Sequence, residues 1–274
     1  MDKSRAAKGK SGVTAKKAAA DPLLVQSVEK AFRVLAAFDD ERPTMSLTQL
    51  ASTIGMDISA TQRFAHTLTK LGYLSKDVDT KRFELTAKTL DLGYHYTRAS
   101  KLVARAMPFL LHLSKETEET VNLTVPDGTE IVFVARFMSR HVLSNDVIIG
   151  TRLPAFCTAP GVAMLSKMPP DEAREILRRS DLKPYTPSTT YRLQDILKKI
   201  DLAGKRGFAT AFEEFYHGDL SIAAPILSPK GYPIGAINVG VSRARFTNES
   251  AVEQFAPLVV ATAMSISQSS RPPR

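Results

Sequence analysis

The sequence predicts an α+β chain in two parts, a small helical domain closed by a β-hairpin and a larger domain built on an antiparallel sheet. Three observations predict this. Helical periodicity runs from Val25 to Leu71, two β-prone arms flank Asp77-Val78-Asp79-Thr80, and beyond Thr120 strand-like runs mix with helices without strict βαβ alternation. The 274 residues suffice for two moderate domains, each with its own core.

Val25, Val28, Ala31, Phe32 and Leu35 recur at helical spacing, and the first helix should end near Asp39-Asp40-Glu41-Arg42-Pro43, where Pro stops it. Ser46 should cap a short second helix with Leu47, Leu50, Ala51 and Ile54 on its apolar face, closed by Gly55. Asp57 or Ser59 then caps a third helix, with Ser59-Ala60-Thr61-Gln62 fitting a capping box, and Gly72 ends it. The arms of Tyr73–Leu85 read as a hairpin, which makes residues 21–85 a winged helix-turn-helix.

The third helix carries the chemistry. Thr61, Phe64, Ala65, Leu68 and Leu71 share one side, while Ser59, Gln62, Arg63, His66, Thr69 and Lys70 lie opposite, with no acid among them. A solvated face usually mixes Glu and Asp with Lys. This one offers amide, hydroxyl, imidazole and guanidinium groups, the set that reads base edges and phosphates of double-stranded DNA. Lys81 and Arg82, where the second arm leaves the wing tip, are placed to touch phosphates.

Residues 86–101 read as a linker helix, and Leu-Val-Ala-Arg-Ala-Met-Pro-Phe-Leu-Leu begins the second domain, with Pro108 either kinking that helix or marking a fresh start. Within 102–270, Thr120–Val125 and Glu130–Phe137 should pair across Pro126-Asp127-Gly128. Helices are expected at 161–167, from Pro169 onward and at 193–205, strands at 207–212, 221–228 and 232–241, and a buried final helix at 249–266.

Composition narrows the function classes. The formal net charge is +9. Residues 1–20 hold six Lys/Arg against one acid, residues 21–100 balance ten against ten, and the remaining +4 lies further on. The tail is read as disordered, either attracting phosphates without specificity or serving as a solubilising leader. It lacks the apolar region of a secretory signal, and no apolar run reaches membrane-spanning length. The single Cys157 suits a reducing cytoplasm.

Catalytic motifs find little support. There is no Gly-x-Gly-x-x-Gly and no phosphate-binding loop, so no nucleotide cofactor is expected. Gly240-Val241-Ser242-Arg243-Ala244 lacks the second Gly of a nucleophile elbow. Cys157 would need spatially adjacent partners to act as a nucleophile, and otherwise is a small buried hydrophobe. The histidines at 66, 95, 112, 141 and 217 form no close ligand pair, although Glu213, Glu214 and His217 could share a site. No metal and no catalytic residue is expected.

With these residues in view, SLTQLASTIGMDISATQRFAHTLTKLGYL, GTRLPAFCTAPGVAML, LKPYTPSTT, KRGFATAFEEFYHGDLSIAAPI and GYPIGAINVGVS appear in the order found in IclR-family transcriptional regulators, which the chain resembles over about residues 24–268. The resemblance implies a winged helix-turn-helix, a linker helix and a GAF-like effector-binding and oligomerisation domain, in homodimers or homotetramers that answer to a small organic acid and control catabolic operons. LKPYTPSTT and GAINV lean toward the aromatic-acid branch. It also implies that DNA is met by Ser46, Ser59, Ala60, Thr61, Gln62, Arg63, His66, Lys70, Lys81 and Arg82, although Thr61 leans toward the core by wheel angle.

The effector is expected against Phe133, Phe156, Thr158, Ala159, Phe212, Glu213, Ser221 and Asn238. Helix-start N–H groups around Cys157–Gly161 suit a carboxylate, but Pro160 removes one donor. Leu220 stands where the family often has Arg, and Phe212 where it often has a ligand-touching Asp. Both departures point to a less polar, aromatic ligand lined by Phe133, Phe156 and Phe212, unless those rings are simply core. The rival reading is a small-molecule-binding enzyme or sensor whose N-terminal domain serves only dimerisation.

Overall fold

The computed structural model describes residues 21–140 and 147–269. The basic tail and His141 lie outside the described residues. The chain divides into two compact units, with the boundary after Asp91.

The first unit starts with α1 (Gln26–Leu35). The short β1 (Thr44–Met45), α2 (Leu47–Ile54) and α3 (Ile58–Lys70) follow. β2 (Leu74–Lys76) and β3 (Phe83–Leu85) form the wing, and β1 adds to β3 in an antiparallel sheet of order β1-β3-β2. The α2–α3 corner forms as its local chemistry dictates. Ser46 and Gln49 make a reciprocal capping box, and Gly55 ends α2 at φ +63°, where a Cβ would be strained. Asp57, not Ser59, caps α3 by accepting from the Ala60 N–H at 2.7 Å, so the expected box at Ser59 does not form. Val34, Met45, Leu50, Ile54, Ala65, Leu68, Leu74 and Phe83 make the core.

α1 is shorter than its periodicity suggested. It stops at Leu35, well before Pro43, and its buried residue is Val34, while Val25, Val28 and Phe32 are each more than half exposed. A 3₁₀ turn (Ala87–Thr89) then leads into α4 (Leu90–Ala99).

In the second unit α5 (Lys101–Thr117) begins at the Ser100 cap and runs through Pro108 without a break. β4 (Thr120–Asp127) and β5 (Glu130–Phe137) pair as a hairpin, and β6 (Arg152–Pro154), not anticipated, pairs with β5. α6 (Ala159–Leu165) starts two residues earlier than expected, because Pro160 fits its first turn. α7 (Pro170–Arg179), α8 (Leu193–Arg206), β7 (Ala209–Phe212), β8 (Asp219–Leu227), β9 (Pro233–Ser242) and α9 (Asn248–Gln268) complete the unit.

The six strands are antiparallel throughout, in order β6-β5-β4-β9-β8-β7. Alternation then assigns each side chain to one face. Val121, Leu123, Leu220, Ile222, Ile237, Val239 and Val241 pack with Leu110, Leu113, Phe255 and Val259 of α5 and α9. The opposite face, carrying Ile131, Phe133 and Ala236, packs with Phe156, Leu177 and Ile196. Ala159, Val162, Ala163, Ala203, Ala209, Ala211 and Ala223 let α6 and α8 approach it closely. Thr120, Asn122, Arg136, Ser221 and Asn238 make part of this sheet polar, and there the candidate pocket lies.

Candidate nucleic-acid interface and effector pocket

α3 presents Ser59, Gln62, Arg63, His66, Thr67 and Lys70 to solvent, and Ala60 is half-buried. Gln62, Arg63 and His66 line a groove of about 280 Å³ together with Thr69, and with Lys76 and Phe83 of the wing. Lys76 holds its ammonium over the Phe83 ring, 5.2 Å from the centroid, which orients a cation that the sequence reading had passed over. Thr61 does not belong to this face. It is fully buried and its hydroxyl donates to the Asp57 carbonyl at 2.9 Å, as its wheel angle foreshadowed.

The remaining expected residues divide by what already occupies them. The Ser46 hydroxyl accepts from the Gln49 N–H at 3.3 Å within the capping box. Arg82 is half-buried and bound to β1, its Nε donating to Thr44 Oγ1 at 2.9 Å and a terminal nitrogen to the Thr44 carbonyl at 2.7 Å. It braces the wing rather than standing free at its tip. At the turn, Asp77 accepts from the Thr80 N–H and hydroxyl, both at 2.6 Å, and these bonds hold its carboxyl below the ordinary value. Lys81 is exposed, in the left-handed region at φ +59°, with its ammonium donating to the Val78 carbonyl at 2.6 Å.

In the second unit a cavity of about 50 Å³, room for a few water molecules, opens over the polar end of the sheet. Of the expected residues, Phe133, Thr158, Ala159, Ser221 and Asn238 line it. Phe156, Phe212 and Glu213 do not. Phe156 is fully buried among Leu153, Cys157 and Leu177. Phe212 fails by strand alternation: Ala211 pairs with Ser221 and faces the cavity, so Phe212, paired with Leu220, turns into the opposite apolar layer. Glu213, at φ +56°, accepts from the Gly218 N–H at 3.0 Å and meets Arg243 Nε at 3.0 Å.

The cavity contains polar groups that the sequence reading did not assign to it. Asn122 pairs with Arg136 on one side and Asn238 on the other, so the three form one row across β5, β4 and β9. An Arg136 terminal nitrogen donates to Asn122 Oδ1 at 3.0 Å, and Asn238 Nδ2 donates to Ser221 Oγ at 3.0 Å. Asp219 also lines the cavity. Burial pushes its carboxyl up to about 7, against the opposing pull of Arg136. Burial likewise pulls the Arg136 guanidinium down. These groups make the lining more polar than Phe133, Phe156 and Phe212 would have done, and Leu220 occupies the other face of the sheet, so its replacement of Arg removes no charge from this one. Thr120-Val121-Asn122-Leu123-Thr124 carried the missed signal, a polar residue at every second place in an apolar strand.

At the rim, Glu214 is buried against the Lys199 ammonium and accepts from the Thr190 N–H at 3.1 Å. The Thr186 and Thr189 hydroxyls donate to the carbonyls of Glu213 and Glu214, both at 2.6 Å, so the LKPYTPSTT segment holds this turn. Glu213 and Glu214 are therefore engaged separately, and among the described residues no group of three His, Cys, Asp or Glu could hold a metal. Cys157 lines the cavity, but burial pushes its thiol up to about 12, the reverse of what an activated nucleophile needs.

A helix-turn-helix with a wing, joined to an antiparallel effector-type sheet domain, defines a DNA-binding regulator. Residues 27–78 match the IclR helix-turn-helix domain, and residues 94–268 match the family described as bacterial transcriptional regulator IclR C-terminal. The chain belongs to the IclR family of transcriptional regulators, which are not enzymes.

It is 31% identical to the Pca regulon regulatory protein of Pseudomonas putida, covering 88% of this chain and 82% of that one. With the transcriptional regulator KdgR of Dickeya chrysanthemi it shares 31% over 90% and 82%. With the p-hydroxybenzoate hydroxylase transcriptional activator of Acinetobacter baylyi it shares 30% over 87% and 89%. Among solved structures, the Thermotoga maritima IclR superposes with a TM-score of 0.70 at 25% identity, over 89% of this chain and 98% of the other. An IclR homolog of Microbacterium hydrocarbonoxydans, complexed with 4-hydroxybenzoate, has the same fold, with a TM-score of 0.76 at 21% identity over 89% and 99%. No helix among the described residues is long and apolar enough to cross a membrane.

Proposed function

We propose that this regulator binds double-stranded operator DNA of a catabolic operon through residues 21–85 and that a small, carboxylated and aromatic metabolite in the 102–270 domain controls that binding, with residues 86–101 as the link. One observation carries the reading: Gln62, Arg63 and His66 of α3 line a single groove with Lys76 of the wing, with no acid among its lining residues. Arg63 suits guanine and Gln62 adenine, each in a bidentate pair, with Ser59, His66, Lys70, Lys76 and Lys81 toward phosphates. For the effector, Arg136 supplies the cation and Ile131, Phe133 and Leu153 the apolar wall. The relative complexed with 4-hydroxybenzoate supports an aromatic acid.

The protein acts as a homodimer, or a homotetramer of dimers, in the cytoplasm. Val28 and Phe32 of α1, with Leu24 and Val25 just before it, support self-association, because each is more than half exposed. The test is an equilibrium titration of the full chain against its own upstream intergenic DNA, at two salt concentrations and with excess non-specific competitor. Specific binding that weakens steeply with salt is the expected result. Persistent absence of preference across genomic fragments, with and without metabolite extracts, overturns the reading.

A further inference from the structure

The C-terminal end of α3 is closed from outside the helix. The turn itself supplies two bonds, from the Gly72 N–H to the Thr69 carbonyl at 3.0 Å and from the Tyr73 N–H to the Leu68 carbonyl at 2.9 Å. The carbonyls of Leu71, Gly72 and Tyr73 lie past the last helical turn, where no later residue of α3 exists to donate to them. Each is met from the segment that follows the wing. Lys88 Nζ donates to the Leu71 carbonyl at 2.8 Å, the Thr86 hydroxyl to that of Gly72 at 2.5 Å, and the Thr86 N–H to that of Tyr73 at 3.0 Å. The exposed Lys88 also crosses the turn with its stem: a Cβ built on Gly72, at φ +82°, would meet Lys88 Cδ at 3.5 Å. Its ammonium stands 5.2 Å from the centroid of the Tyr73 ring.

Thr86 joins two elements. Its hydroxyl donates to Gly72 and accepts from the Lys88 N–H at 3.3 Å, capping the 3₁₀ turn Ala87–Thr89 that runs directly into α4. Thr89 returns two bonds to the Thr86 carbonyl, from its N–H at 3.1 Å and its hydroxyl at 2.8 Å. The end of α3 is thus fastened to the start of the following helix, by contacts that all lie within the first unit. A cation at a helix C-terminus also complements the partial negative charge there. Neither Lys88 nor Thr86 lines the groove formed by Gln62, Arg63, His66 and Thr69.

We infer that Lys88 and Thr86 are positioning residues for DNA reading: they fix the C-terminal end of α3 against the start of α4, and with it the angle at which Gln62, Arg63 and His66 meet base edges. This rests on the reading of α3 as the recognition helix. An exposed lysine in a DNA-binding domain ordinarily reads as a phosphate contact, and the two roles differ in their effect on binding. A lost phosphate contact weakens all sequences alike and lowers the salt slope by about one, whereas a lost clamp misaligns base contacts and spares both.

Titration of the full chain against operator and scrambled duplexes at several salt concentrations separates them, the operator being the upstream fragment that the wild type prefers. Lys88→Met should lose about tenfold in operator affinity, the size of one impaired base contact, with scrambled-duplex affinity within about twofold and the salt slope unchanged. Lys88→Arg, which keeps a donor and a cation for the Tyr73 ring, should recover operator affinity to within about threefold. Thr86→Val should act like Lys88→Met, and Thr86→Ser, which retains the hydroxyl, like wild type. Thermal melts verify that the variants are folded at the titration temperature. Hydrogen exchange in Lys88→Met should quicken at the Gly72, Tyr73 and Thr86 amides while α1 and α2 keep their protection. Equal weakening on both duplexes with a slope reduced by about one makes Lys88 a phosphate contact and overturns the inference, as does faster exchange spread across the whole unit. A wild type without sequence preference overturns the DNA reading and this inference together. A wild-type preference that Lys88→Met leaves unchanged overturns this inference alone.

Discussion

Arg82 and Thr44 are joined twice, by Nε to the Thr44 hydroxyl and by a terminal nitrogen to the Thr44 carbonyl, so a wing residue is bolted to the strand preceding α2. The strand β1 is only two residues long, and its pairing with β3 at Thr44–Glu84 and Met45–Phe83 is extended by this bridge. Arg82→Ala should therefore lower stability by about 1.5–3 kcal/mol, the range for hydrogen bonds to charged groups, measurable by urea denaturation. Lys81→Ala should leave stability within about 0.5 kcal/mol and reduce the salt dependence of DNA binding by about one phosphate contact.

Arg63 and His66 sit one helical turn apart on the exposed side of α3, and neither side chain is needed by the core. The double variant with Ala at both positions should melt like wild type. It should lose about 1–3 kcal/mol of operator discrimination per lost base contact, while non-specific binding falls far less. A competition titration against operator and scrambled duplexes measures both. Wild-type specificity in this variant places the reading face elsewhere.

Asp219 makes the stability of the second unit depend on pH. Its carboxyl is raised from the ordinary 3.8 to about 7 by burial, so the folded protein holds a proton that the unfolded chain has released between those values. Its contribution is fully present below 3.8, shrinks as pH rises, and is gone above about 7. Asp219→Asn carries no such proton. In melts without added acid, its stability relative to wild type should rise between pH 5 and pH 8, and a difference that stays constant with pH would show that Asp219 ionises normally.

Gly161 marks where α6 meets the 3₁₀ turn Ala155–Cys157. A Cβ there would lie 2.2 Å from the Ala155 carbonyl oxygen and 2.4 Å from its Cα, both backbone atoms that cannot swing away. Gly161→Ala should destabilise by about 1–3 kcal/mol or more, read by chemical denaturation, despite the better helix propensity of Ala. The same change at Gly204, whose nearest neighbour would be 3.5 Å away, should be tolerated.

What the sequence disclosed followed how local each cause was. The α2–α3 corner was legible because Ser46, Gly55 and the apolar spacing act within a few residues of one another. In α1 periodicity reports an apolar stripe and not what covers it, and Val28 and Phe32 of that stripe lie exposed. In the pocket, Phe212 was expected because it stands where the resembled family often has a ligand-touching Asp, whereas its face is decided by pairing with Leu220. Arg136 could not be found that way at all. It reaches the cavity only because β5 pairs with β4 and β4 with β9, contacts separated by more than a hundred residues in the second case. The short β1 and β6 carry too few residues for alternation to register.

The cavity's size has its own consequence for sensing. At about 50 Å³ it has room for a few water molecules and not for a benzene ring, so an effector of the proposed aromatic kind would require the lining around Phe133 and Leu153 to move. The apparent affinity for effector is then the intrinsic affinity of an opened form, diminished by how rarely that form occurs. Under the proposed function, substitutions that loosen the packing around Phe133 and Leu153 should change the effector concentration needed for a response more than they change which effector is preferred. Under that reading, sensitivity would follow from the packing that closes the pocket and selectivity from the polar groups that line it.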